Sequence, residues 1–94
     1  MRMTFEWDEN KNNSNKKKHG ISFETAARVF LDPNVIVVPD PELSEERWDA
    51  IGFVGSLLFV VYAERDDDKI RIISARKATK EEINGYKNND FGRR

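Results

Sequence analysis

The stretch RWDAIGFVGSLLFVVYAERDDDKIRIISARK, residues 47–77, decides the fold. Two breaks divide it, one at Gly55-Ser56 and one at Asp66–Lys69. The segments on either side, Arg47–Val54, Leu57–Arg65 and Ile70–Lys77, read as strands. Gly in the first position of a two-residue loop favours a type II′ turn, so Gly55-Ser56 predicts a tight hairpin. Leu57–Val61 is apolar at every position, as expected of a central strand covered on both faces. Successive hairpins imply an antiparallel sheet, and helical segments outside the stretch must pack on it. The fold class expected is therefore α+β, with a mainly antiparallel sheet.

Working outward, Val35–Val38 is a β-branched run that reads as a strand, followed by an acidic, proline-containing loop over Pro39–Glu46. At the N-terminus, Met3, Phe5 and Trp7 alternate and predict a strand over Met3–Trp7. Asp8 is a suitable helix N-cap and Gly20 a suitable C-terminal stop. The segment between them, Glu9–His19, is polar and rich in Asn, a poor helix former, so composition alone makes it a loop. Ser22 caps a clearer helix, in which Phe23, Ala26, Ala27 and Phe30 form one apolar stripe, and Pro33 ends it. Past the third strand, Thr79 and Glu82 form a capping box that opens a last helix carrying Ile83 and Tyr86 on one face. Gly85 inside that helix costs about 1 kcal/mol relative to Ala, which favours fraying. The expected organisation is one domain over residues 1–88, with two N-terminal helices and one C-terminal helix, and a flexible tail over residues 89–94.

With 94 residues, 38% hydrophobic and 35% charged, the chain carries one modest core under a charged surface. Domains of this size are marginally stable, and a partner covering an apolar face is expected. Sixteen Lys and Arg against seventeen Asp and Glu give a net charge of -1, so bulk charge does not mark a nucleic-acid binder. Local cation patches are what matter for phosphate. The absence of cysteine removes disulfides, thiolate zinc sites and thiol nucleophiles, and fits a cytoplasmic location. No apolar run reaches membrane-spanning length, and Met1–Trp7 has no signal-peptide core.

Four segments together resemble the BrnT family. They are Phe5–Lys11 with Asn15 and Lys18-His19-Gly20; Ile21–Glu24 with Ala26 and Phe30–Pro33; Glu46-Arg47; and Arg71–Thr79 with Glu82 and Tyr86. On this resemblance the segment Glu9–His19 is taken as a helix. The resemblance implies a RelE-like fold and a ribonuclease toxin that inhibits translation. It further implies neutralisation by a BrnA-like ribbon-helix-helix antitoxin, in a heterotetramer of two toxins and two antitoxins that represses its own promoter, so that promoter DNA is met only through the antitoxin. The stretch Tyr62-Ala63-Glu64-Arg65 departs from the family, where a His commonly stands at the position of Tyr62. A second reading follows from that departure: a module that has lost catalysis but still binds the antitoxin and takes part in autorepression. A third class, a stand-alone nucleic-acid-binding protein, is disfavoured by the near-neutral charge and the lack of a helix-turn-helix pattern.

Metal-free RNA cleavage uses the 2′-hydroxyl as nucleophile and wants a base, an acid for the departing 5′-oxygen, and cations for the phosphorane. With one His and no Cys, no dedicated transition-metal site and no cofactor are expected. Arg65 and Arg76 are the leading catalytic candidates, because a guanidinium fork meets phosphate with two parallel hydrogen bonds. His19 offers an imidazole for acid–base work or a helix-capping bond. Tyr62 offers a phenol, or simply a bulky strand residue filling the core. Lys18, Arg47, Arg71 and Lys77 are the RNA-binding candidates. Each charged candidate has a plain alternative: Lys16–His19 suit a helix C-terminus, and Glu64 suits a cross-strand ion pair with Arg71. Trp7 and Trp48 have rings fit for base stacking, with core packing the better reading for Trp7.

Register decides which cations meet. A four-residue loop at 66–69 opposes Arg65 with Ile70 and places Arg65 and Arg76 on one face, with Tyr62 on the other. A three-residue loop or a bulge places Tyr62 with Arg76 and moves Arg65 across. The expectation is that the Arg65 and Arg76 guanidinium groups open into one cleft, within about 10 Å of each other, a Debye length at 0.1 M salt.

Overall fold

The computed structural model describes residues 3–40, 46–66 and 68–88. The elements run β1 (Thr4–Glu6), α1 (Glu9–His19), α2 (Phe23–Ala27) continuing into a 3₁₀ turn (Arg28–Leu31), β2 (Ile36–Pro39), β3 (Arg47–Phe53), β4 (Leu57–Arg65), β5 (Lys69–Lys77) and α3 (Lys80–Asn88). They form one five-stranded sheet in the order β1-β5-β4-β3-β2. All neighbours are antiparallel except β1 and β5, which run parallel. The tail over 89–94 and most of the acidic loop lie outside the described residues.

The expected apolar stripe holds in part: Phe23 and Ala26 are buried and Phe30 packs against the core, but Val29 rather than Ala27 takes the remaining buried place, because the chain tightens into a 3₁₀ turn at Arg28. Phe23, Ala26 and Val29 are fully buried against Ala50, Leu58, Val60, Tyr62, Ile70, Ile72 and Ala75 on one face of the sheet. The Phe30 ring meets Tyr62 edge-on at 5.1 Å, and Trp7 meets Phe23 at 6.1 Å. The 3₁₀ turn lies so close to β3 that a Cβ on Gly52 would sit 2.7 Å from Val29 Cβ. Only hydrogen fits there.

α1 has no apolar face, and two asparagines do the work of one. Asn12 and Asn15 are 1% and 8% exposed, three residues apart on the buried side. Asn12 Oδ1 accepts from the Phe23 amide at 2.8 Å, and its Nδ2 donates to Glu9 and Glu24. Asn15 Nδ2 donates to the carbonyls of Ile21 and Ala75, and Asn15 Oδ1 accepts from the Ala75 amide at 3.2 Å. β1 pairs with β5 only at Lys69–Arg71. Beyond that point the Asn15 amide stands in for the missing strand, closing the donor and acceptor of Ala75 that the sheet edge leaves open. Asp8 caps α1 by accepting from the amides of Asn10 and Lys11, and Gly20 closes it with φ 73°.

Two turn expectations are corrected. The β3–β4 hairpin is a three-residue connection, Val54–Ser56, between the paired Phe53 and Leu57, with Gly55 at φ 73°. A residue with positive φ inside a three-residue loop is the common alternative to the two-residue II′ turn, and only Gly adopts it without strain. At the next hairpin Arg65 opposes Lys69, so residues 66–68 form the loop and the four-residue loop at 66–69 is ruled out. A bulge then intervenes: Tyr62 pairs with Ile72 but Val61 pairs with Ser74, leaving Ile73 unopposed. The bulge turns the rest of β5 over. Arg65 and Arg76 thus share a face after all, and Tyr62 points to the other.

Candidate functional site

Directly opposed residues share a face, so the pairing lays out the side of the sheet away from α1 and α2. Nearest the β4–β5 turn lie Arg65 and Lys69. The next row runs Glu6, Arg71, Ala63 and Arg47 across β1, β5, β4 and β3. Adjacent strands stand about 5 Å apart, so Arg47 and Arg71 flank Ala63 with about 10 Å between their Cα atoms, and Arg65 is about 7 Å further along β4. Ala63 is 8% exposed and supplies a low floor between longer side chains. Glu6 answers part of this charge, bonding Arg71 at 3.2 Å and lying 4.0 Å from Lys69. Acids also ring the turn, where Glu64, Asp66 and Asp68 are exposed. The expected ion pair between Glu64 and Arg71 does not form, because Glu64 opposes Ile70 and turns away from Arg71.

Further along the same face Arg76 opposes Phe59, and its guanidinium lies 4.1 Å from that ring. Both of its Nη atoms donate to Glu82 of α3, at 2.9 Å each. This bond raises the affinity of Arg76 for its proton and, against the cost of burial, holds the Glu82 carboxyl below its usual range. Glu82 also closes the capping box: it accepts from the Thr79 amide at 2.8 Å, and its own amide donates to Thr79 Oγ1. α3 has no fully buried residue and is pinned at its other end by the Tyr86 hydroxyl donating to Asp32. Arg65 and Arg76 are six residues apart along β4, about 20 Å at about 3.3 Å per residue. The expected cleft holding both within about 10 Å is therefore corrected: they share a face but not a site.

Between these two groups lies Asp49, which opposes Val61 and is two residues along β3 from Arg47. It is 6% exposed, and its Oδ1 has no hydrogen-bond partner. Burial, a side-chain hydrogen bond with Asp40 and the negative charges of Asp40 and Glu82 push its carboxyl up to about 7, with Arg76 acting in the other direction. Perturbed carboxyls of this kind cluster at functional sites. The sequence reading missed Asp49. The available signal was a lone acid inside the strand pattern, next to Ala50 and Ile51.

The other candidates scatter. Tyr62 is 3% exposed in the core on the opposite face, and burial, then Glu64 and Asp49, push its phenol up to about 12. That is a space-filling position. His19 and Lys18 are exposed in the last turn of α1, and Lys77 is exposed at the end of β5 opposite Leu58. Trp48 and Trp7 pack against the core, and Trp7 Nε1 donates to Glu9. Of the eight candidate site residues, the register brings together Arg47, Arg65 and Arg71. Among the described residues no group of three or more His, Asp or Glu is placed to hold a metal ion, and no helix is long and apolar enough to cross a membrane.

The crystal structure of the Brucella abortus ribonuclease toxin BrnT superposes with a TM-score of 0.69 at 30% identity, covering 84% of this chain and 100% of that one. No curated protein matches the chain closely enough to add to this. The family described as "Ribonuclease toxin, BrnT, of type II toxin-antitoxin system" matches residues 7–82. That span takes in both helices of the core face, the whole cationic row after Glu6, and Glu82 on the latch of α3. The chain belongs to the BrnT family of ribonuclease toxins of type II toxin–antitoxin systems.

Proposed function

We propose that this toxin cleaves RNA by metal-independent attack of the 2′-hydroxyl, inhibits translation in the cytoplasm, and holds the RNA backbone on the row Arg47–Ala63–Arg71 with Arg65 beside it. The observation that carries the reading is the register of β3, β4 and β5, which gathers three arginines around one small side chain. Phosphate binds well where guanidinium forks converge. In such a slot the cations would neutralise the charge that grows on the phosphorane. Lys69 joins this set, and Glu6 is the carboxylate that phosphate would displace from Arg71. His19, Lys18 and Lys77 are peripheral in this reading, Arg76 lies further along the same face in the grip of Glu82, and Tyr62 is structural. The catalytically silent alternative drew on Tyr62 standing in place of a family His. Since Tyr62 fills the core on the far side, that difference leaves the arginine row intact. The RelE-like classification, the BrnA-like ribbon-helix-helix antitoxin and the heterotetramer belong to the same proposal.

The test is cleavage of a defined RNA by purified, antitoxin-free protein with excess EDTA. Cleavage persists in EDTA, and Arg47→Ala and Arg71→Ala each raise KM or lower kcat by at least about 10-fold, the scale of one charge-assisted bond of about 1.5–3 kcal/mol. Cleavage abolished by EDTA rejects the metal-independent route. Full activity in both variants rejects the row.

A further inference from the structure

We infer that Asp49 is the proton-donating catalytic residue of this site, reached by RNA when α3 lifts from the sheet. This rests on the ribonuclease reading above and adds to it the group that protonates the leaving 5′-oxygen. Three observations converge. Asp49 lies on the same face as the arginine row and one step along β3 from Arg47, about 7 Å between Cα atoms, within side-chain reach of a phosphate held over Ala63. Its carboxyl is buried with Oδ1 unpartnered, so one oxygen is aimed at no protein group. It shares a hydrogen bond with Asp40 at the end of β2, an arrangement that requires a proton on one of the two carboxyls.

The groups facing Asp49 come from every element around it. They are Asp40 after β2, Arg47 on β3, Arg76 on β5 and Glu82 on α3, while β4 presents the apolar Val61. Two acids beside it keep the proton on, and Arg76 stands ready to stabilise the carboxylate left when it goes. His19 is remote from this cluster at the end of α1, and Tyr62 is on the opposite face. Asp49 is a carboxyl of this face poised to change protonation near neutral pH, where a general acid is most effective.

Access follows from how α3 is attached. The helix has no fully buried residue and is pinned by Glu82 on Arg76 and Tyr86 on Asp32. Glu82 places two oxygens on the fork of Arg76, the same contact a phosphate makes. RNA phosphate displacing Glu82 releases one of the two pins of α3, lets its first turn lift from the sheet, and opens the way to Asp49. The 2′-oxygen then bonds to phosphorus as the P–O5′ bond breaks. Asp49 passes its proton to O5′, the 2′-hydroxyl proton goes to water, and solvent returns a proton to Asp49.

A general acid must start protonated, so cleavage falls as pH rises through about 7. The experiment is kcat against pH for wild type, Asp49→Asn and Asp40→Asn, with thermal melts to confirm folding. Asp49→Asn lowers kcat by at least about 100-fold and loses the descending limb, because an amide holds no transferable proton. Asp40→Asn removes a neighbouring charge and shifts the limb to lower pH, which decides the matter even where Asp49→Asn fails to fold. A wild-type rate that climbs through this range, as it would if ionised Asp49 merely loosened α3, overturns the inference. So does a limb unchanged in either variant. Wild-type protein that cuts no RNA at any pH overturns the ribonuclease reading itself.

Discussion

On the face under α1 and α2, the sheet presents Leu58, Val60, Tyr62, Ile70, Ile72 and Ala75 to Phe23, Ala26 and Val29, an apolar contact edged by the buried Asn12 and Asn15 of α1. The opposite face presents Arg47, Asp49, Arg65, Arg71 and Arg76 around the apolar Ile51, Phe59 and Val61, and α3 is tied by Glu82 to Arg76 of this face and by Tyr86 to Asp32 in the loop before β2. The first face is closed by the hydrophobic effect, which rewards area and ignores direction. On the second, buried Ile51 and Val61 lie beside the charges, and α3 is held by directed polar bonds, each of which water, phosphate or another carboxylate can replace. A chain with 38% hydrophobic residues has enough apolar surface for one such core, and the proposed chemistry lies on the face away from it. In that reading stability and function fall on opposite sides of the same strands.

Breaking the dry face gives the largest effect. Phe23 is fully buried and supports the Trp7 ring, and Phe23→Ala removes its volume from a site enclosed by helix and sheet. The expected loss is about 3–5 kcal/mol, transfer and cavity together, read by urea or thermal unfolding. A loss under about 1 kcal/mol would show that the two faces contribute alike.

The dry face was largely legible in the sequence, because burial writes itself as periodicity. The stripe Phe23, Ala26, Ala27, Phe30 and the unbroken Leu57–Val61 run point to the same sheet from both sides, and the caps Asp8, Ser22 and Thr79–Glu82 act where spacing puts them. The site face was legible only as a set of charged candidates. Which of them meet depends on a three-residue loop in place of four and on one unopposed residue, Ile73. Neither leaves a compositional trace, since Asp66–Lys69 is equally polar at either length. Asp49 was hidden for a related reason: a strand's alternation names the face of each residue, but not the Asp40 carboxyl that arrives from another strand.

The intermediate effect falls on the polar part of the dry face. Asn15 satisfies both the amide and the carbonyl of Ala75, and the carbonyl of Ile21. Asn15→Leu keeps the volume and abandons those groups in a buried place, at about 2–3 kcal/mol for the uncompensated polar atoms. Asn13→Leu, at an exposed position of the same helix, costs within about 0.5 kcal/mol and serves as the comparison. Equal melting temperatures for the two would mean that α1 docks without its asparagines and that the edge of β5 is closed by water.

The smallest effect sharpens the contrast most, because it separates the attachment of α3 from the stability of the whole. Glu82→Gln removes the charge that binds Arg76 but retains the atoms of the capping box, where Gln serves as well as Glu. Arg76 and Glu82 carry side-chain exposures of 36% and 14%, so this is a half-solvated pair. Its loss costs about 1 kcal/mol at most, near the range of surface salt bridges. Global unfolding should therefore move little. Amide exchange should move selectively: protection falls across residues 80–88 while the amides of β4 and β5 keep theirs, as expected when one weakly docked element opens by itself. The freed guanidinium also exposes a cation, so the same variant binds single-stranded RNA more tightly than wild type at low salt, and the gain fades as salt is raised. Uniformly reduced protection across the sheet and α3 would mean that the helix is part of one cooperative core, and the division between the faces would not hold.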